Sequence, residues 1–252
     1  MPFADVVRAQ TVNVSQVAVI STATEPHRFF EPHLAVDPND PNHLLAGVML
    51  EWSQDPPQEA RARTRCAVFM SRDGGVTWAR HDFALVNCGD PQVALLPNGD
   101  AVFVALAELP GVQPRDNGWL QVFRSDDGGS TWQSEPTVVG RSHDHPALTV
   151  DITSPARRGW VYITTHYAWR DGGGDIRSGV FVVRSRNSGR TFDAPTIVSP
   201  NRMHNYSEMP AVLADGTVFA SFVDDVDDRP YLDPDAGAEP LSITRLEGSR
   251  WR

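Results

Sequence analysis

Four short segments place an acidic residue just ahead of a proline: FFEPHLAV, CGDPQVALL, HDHPALTV and SEMPAVLA. The acids are Glu31, Asp90, Asp144 and Glu208, standing one or two residues before Pro32, Pro91, Pro146 and Pro210. At equivalent positions of a repeat they would line the mouth of a central channel with negative charge, which makes Glu31, Asp90 and Asp144 candidate substrate contacts. Carboxylates so paired can divide the work of an acid and a base. Their other reading is structural, because a short acid at the start of a strand can accept hydrogen bonds from the backbone of a neighbouring unit.

Three further groups carry chemistry. His143, Asp144 and His145, with His166 and His204, have the residue types of a metal-ligand set. A strand-start hydrogen bond between His143 and Asp144, with His145 filling the pre-proline slot, accounts for the same residues, so no metal is assigned. The acids Asp224, Asp225, Asp227, Asp228, Asp233 and Asp235 lack the spacing of a calcium loop. They read as a solvated connection. Tyr167, Trp169 and Arg170 bring aromatic faces and a guanidinium to one loop, where rings can stack on sugars, and His145 joins them as a candidate substrate contact.

These residues are positioned by a repeat. SRDGGVTW (Ser71–Trp78), SDDGGSTW (Ser125–Trp132) and SRNSGRTF (Ser185–Phe192) share one frame, and TRLEGSRW keeps it at Thr244, Gly248 and Trp251. Their starts at 71, 125, 185 and 244 are 54, 60 and 59 residues apart, the signature of a repeat array. In each, Gly75, Gly129 or Gly189 suits a tight turn. Asp73, Asp127 or Asn187, with the Ser71, Ser125 and Ser185 hydroxyls, can satisfy turn amides. Trp78, Trp132 and Phe192 supply apolar packing surface. Short apolar runs flank each turn, and two more strand-like runs precede it, separated by turns such as PNG and ADG. Four strands per repeat without helical periodicity predict an all-β chain, a β-propeller of four-stranded antiparallel blades. The whole chain, 1–252, reads as one domain with blades at about 31–86, 90–140, 144–199 and 208–252.

The Ser-x-Asp-x-Gly-x-Thr-Trp frame resembles the Asp-box, or BNR, repeat of the sialidase superfamily, over nearly the whole chain. The resemblance implies that the boxes are structural and face away from the active site. It also implies a top face that receives the inner-strand starts and the loops between second and third strands. Ser207-Glu208-Met209-Pro210 with Asp215-Gly216 resembles the segment that carries the family's assisting glutamate, and Asp55 lies in the loop where sialidases keep their acid/base aspartate. Glu208 and Asp55 are therefore the first catalytic pair, with Asp90 and Asp144 behind them. Phe30 stands where the family has the first arginine of its substrate-carboxylate clamp, and ASFVDD stands where the next is expected. Sialidase activity proper is not expected. The expected function is action on, or binding of, a glycan or oligosaccharide at the axial top face. The competing reading is a non-catalytic scaffold that binds a protein through the top loops. Sialidase propellers have six blades, so about two more blades are expected in the complete protein, in preference to ring closure by TVNVSQVAVI. Open blade edges would invite self-association.

Bulk properties narrow the partners. With 22 basic residues, all arginine, and 32 acidic ones, the net charge is −10. That disfavours a nucleic-acid partner, which demands clustered positive charge. No apolar run is long enough to cross a bilayer, and no cofactor is implied. The absence of lysine excludes Schiff-base chemistry. No leader is visible in MPFADVVRAQ, yet the glycan reading favours a secreted or periplasmic protein over a cytoplasmic one. Cys66 and Cys88 are too few for a disulfide framework or a zinc cage. Two separate thiols are favoured over a single disulfide.

Overall fold

The computed structural model describes residues 19–21, 27–52, 64–112, 118–142, 144–170, 176–199, 204–207, 209–225, 241–247 and 250–251. They form four antiparallel sheets. The first contains β1 (His27–Val36), β2 (Leu44–Trp52), β3 (Thr64–Ser71) and β4 (Ala79–Asp82). The second contains β5 (Val86–Leu95), β6 (Ala101–Glu108), β7 (Trp119–Ser125) and β8 (Thr137–Arg141), also in sequence order. The third runs β9 (Asp144–Val150), β10 (Val161–Arg170), β11 (Ile176–Ser185) and β12 (Thr196–Ile197). In the fourth, β13 (His204–Ser207) and β14 (Ala211–Val212) both pair with β15 (Val218–Asp225), which is followed by β16 (Leu241–Glu247) and β17 (Arg250–Trp251). Each sheet is a meander of the kind that makes a propeller blade.

The blades stack face to face, and β6 shows why. Its first seven residues, AVFVALA, are all apolar, a pattern that suits a strand covered on both sides. Ala101, Phe103, Ala105 and Ala107 pack with Leu45, Val68, Phe83 and Phe123 against the first blade. Val102, Val104 and Leu106 point the other way and pack with Leu148, Val161 and Ile163 of the third. Phe83 sits at the first junction, its ring stacked 4.0 Å from that of Phe103 and 4.7 Å from that of Phe123. Tyr162, Val182, Val218 and Ala220 form the next junction, between the third and fourth blades.

The repeated turns have one hydrogen-bond plan. In the second, Ser125 Oγ accepts from Gly129 N at 2.7 Å and donates to Asp127 Oδ1 at 2.7 Å. The same carboxylate accepts from Thr131 N at 2.8 Å and Thr131 Oγ1 at 2.7 Å. Ser71, Asp73, Gly75 and Thr77 repeat the plan. In the third copy Asn187 Oδ1 accepts from Thr191 N, and Asn187 Nδ2 donates to Thr191 Oγ1, so the side-chain bond survives with its polarity reversed. Gly129 is required twice over. Its φ is +93°, and an added Cβ would come within 2.7 Å of Leu45 Cδ2 on the preceding blade. The degraded fourth copy still closes a hairpin, with Leu246 opposite Trp251 and Glu247 opposite Arg250.

Cys66 of β3 and Cys88 of β5 form a disulfide, contrary to the expectation of separate thiols. The 22-residue separation in sequence is crossed because the first two blades pack face to face, which brings the two Cα atoms to 5.7 Å.

Candidate functional site

The inner strands begin with the same irregularity. β1 slips register between Phe30 and His33, and β5 slips between Gly89 and Gln92. The pairing of β9 with β10 shifts between Thr164 and His166. Each slip falls at a proline, which cannot donate to the ladder and so marks a natural place for a bulge. The residue before each proline takes a left-handed conformation: φ is 51° at Glu31, 51° at Asp90 and 42° at His145. Such conformations are costly for non-glycine residues and persist where surrounding contacts enforce them.

Those contacts link the blades. Asp90 N donates to Glu31 Oε2 at 2.8 Å, and His145 N donates to Asp90 Oδ2 at 3.1 Å. The bulges of the first and second blades thus each supply a carboxylate to the bulge amide of the next blade. This corrects the sequence alignment of the acids. The equivalent positions are Glu31, Asp90 and His145, while Asp144 stands one residue earlier, where its Oδ1 also accepts from His145 N at 3.1 Å. The spacing of an acid to its proline differs by one residue between repeats, and only the strand register shows which positions superpose.

Asp90 is the most perturbed group. Its side chain is 11% exposed. Burial pushes its pKa up to about 7, and the charges of Glu31 and Asp144 push the same way, against the His145 amide and imidazole. The His145 imidazole is open to solvent, with Nδ1 3.6 Å from Asp90 Oδ1 and Nε2 3.9 Å from Asp144 Oδ1. Asp90, Asp144 and His145 each offer an atom within 4.8 Å of the others. The set is therefore equipped for proton transfer, and its residue types also suit a divalent cation.

Strand direction places this cluster away from the repeated turns. In the first blade Ser71 lies opposite Leu44, whereas Glu51 and Thr64 are paired at the other end of the same strands. Tyr167 is near the end of β10 that carries His166, the partner of Asp144. It accepts a hydrogen bond on its hydroxyl from Arg141 Nη1 at 3.1 Å. The Arg141 guanidinium lies 5.0 Å from the centre of the Trp119 ring and 5.9 Å from that of Tyr167. Neither Arg141 nor Trp119 stands out in the sequence, since they become neighbours only through the register Trp119 opposite Arg141. The backbones of Trp169 and Arg170 continue β10 opposite Arg177 and Ile176. Asp55, Glu208 and His143 lie outside the described residues, as do Asp227, Asp228, Asp233 and Asp235. Asp224 and Asp225 belong to β15, opposite Asn205 and His204. The segment TVNVSQVAVI falls outside the described residues except for Val19 and Ile20, and Ile20 packs against the first blade.

No protein-family model matches the chain, and no curated protein sequence does either. Solved structures do match in fold. A protein of unknown function from Dyadobacter fermentans superposes with a TM-score of 0.59 at 14% identity, over 93% of this chain and 71% of that one. The α-L-arabinanase of Penicillium chrysogenum, solved with arabinobiose, gives 0.53 at 13% identity, over 88% and 64%. A polysaccharide lyase of family PL25, an ulvan lyase, gives 0.55 at 10% identity, over 88% and 56%. The chain is a β-propeller. At these identities the likeness extends to the fold alone, and the chain spans about two thirds or less of the arabinanase and lyase chains.

Proposed function

We propose that this propeller acts on a glycan at the end that carries the inner-strand bulges, as a glycoside hydrolase of the sialidase-like, Asp-box type. The observation that carries the reading is Asp90, a carboxyl group only 11% exposed and clustered with Asp144 and His145. Burial and then the charge of Glu31 push its pKa up to about 7. A general acid works best when its pKa lies near the working pH. Asp90 would protonate the leaving oxygen, and a second carboxylate would act as nucleophile or base. Asp144 is the partner in reach, with Glu208 at the start of the fourth inner strand and Asp55 as the further candidates. The described pair have oxygens within 4.8 Å, closer than the roughly 6.5 Å or more that an inverting enzyme leaves for water. Retention of configuration is the matching outcome. His145, Tyr167, Trp169 and Arg170 would contact the sugar chain. The glycan-active proteins among the solved structures of this fold support the reading at the level of substrate class.

A second reading is favoured by the hydrogen bonds from Asp90 N to Glu31 and from His145 N to Asp90. They give the acids a structural task, as expected in a scaffold that binds a protein. One experiment separates the two. Wild type, Asp90→Asn and Glu208→Gln are assayed against sialosides, arabino-oligosaccharides and a panel of plant and bacterial oligosaccharides. A hydrolase releases sugar, and at least one variant loses turnover with its fold intact. A folded wild type that cleaves nothing sinks the hydrolase reading in favour of the scaffold.

A further inference from the structure

A cleft of about 500 Å³ opens between the second and third blades, apart from the axial acids. Its deep walls are apolar: Leu120 and Val183 are buried, and Phe181 is partly so. Ile197, 45% exposed, forms part of the rim. The cleft exists because β8 carries a glycine where it faces the third blade. A Cβ on Gly140 would meet Pro195 Cγ at 3.5 Å, ordinary contact, so a larger side chain there would occupy the space. The mouth is marked by Arg141 and Tyr167.

Arg141 is the unusual element. A guanidinium has five N–H donors. Here one nitrogen donates to Tyr167, the face stacks near Trp119, and no carboxylate approaches among the described residues. In a chain of net charge −10, an arginine held in place by two rings, with no acid paired to it among the described residues, is a prepared site for an anion. A volume of this size with apolar walls and one polar fork has the make-up of a small-molecule pocket.

We propose that this cleft binds a ring-bearing carboxylate, the flat apolar ring between Leu120, Val183 and Phe181 and the carboxylate on Arg141. The site is distinct from the axial acids but near them. Arg141 and Asp144 are three residues apart, so their Cα atoms are separated by at most roughly 11 Å. The inference does not depend on whether Asp90 catalyses anything, because binding is read without a glycan or turnover.

The test is calorimetric titration of the full chain with cinnamate and with cinnamyl alcohol, which share a ring and differ in charge. The acid should bind at least about tenfold more tightly than the alcohol, the size of one charge-assisted contact. Arg141→Met keeps the stem and removes the charge. It should bring the acid down to the level of the alcohol and leave the alcohol unchanged. Gly140→Leu, confirmed folded by circular dichroism, should lose both. The proposal fails if wild type binds neither compound, if acid and alcohol bind equally, or if Arg141→Met retains full affinity for the acid. The comparison of acid with alcohol on wild type stands even if Gly140→Leu does not fold.

Discussion

The backbone N–H of His145 donates to the Asp90 carboxylate across the junction of the second and third blades, at 3.1 Å. A group offered as a proton donor for catalysis is thereby also a clasp between blades. Its two tasks make different demands on protonation.

The pH dependence of Asp90 follows from its pKa of about 7 in the folded chain, against 3.8 as the ordinary value. Between these values the folded state holds a proton that the unfolded state has released, so stability falls as pH rises through this window. Asp90→Asn removes the ionisation and keeps an acceptor for the His145 amide. Its melting temperature should exceed that of wild type at pH 8 and match it at pH 4. If Asp90 is the general acid, kcat/KM of wild type should decline as pH rises through about 7. A wild-type melting curve that does not change between pH 5 and 8 would contradict the first expectation.

The Cys66–Cys88 bridge joins the first two blades and is fully buried. Replacing both residues by alanine should cost about 3 kcal/mol, from the greater freedom of the unfolded chain. Urea denaturation of the double variant measures this. Reductant added to the native wild type should act slowly, since the sulfurs are exposed only on opening.

The repeated turns make a graded prediction. Asp127→Ala removes the acceptor for Thr131 N and Thr131 Oγ1 and should cost about 1–2 kcal/mol, similar to loss of a capping side chain. Asp127→Asn should cost less, because Asn187 already closes the third turn. Hydrogen bonds from Thr77, then Ser71, hold the Asp73 carboxyl at about 2, below its ordinary 3.8. That contribution is complete above pH 4 and is lost as pH falls toward 2. Thermal melts across that range should decline more steeply for wild type than for Asp73→Asn.

Arg124 is 2% exposed and donates to Asp100 Oδ2 at 2.7 Å, and it also pairs with Asp126. Arg124→Met leaves Asp100, itself largely buried, with only the more distant guanidinium of Arg190, at 3.9 Å, to balance its charge. The expected loss is about 3–5 kcal/mol. Adding Asp100→Asn to the variant should recover part of it, measured as a double-mutant cycle.

What the sequence alone determined was periodic and local. A frame recurring every 54 to 60 residues, with apolar runs on each side, led to four-stranded meanders because strand and turn chemistry act over a few residues. The prolines at the inner-strand starts were equally local, but that Pro32, Pro91 and Pro146 each sit at a register slip was settled by the pairing of the strands. The tertiary structure decided everything that depends on register or on one blade facing another. It set Asp144 one residue out of line with Glu31 and Asp90, and it paired two cysteines 22 residues apart. It also placed Arg141 against Trp119 and Tyr167. Side chains alternate across a strand, so a shift of one residue reverses the face a group presents, and only the packed blades fix which residues meet.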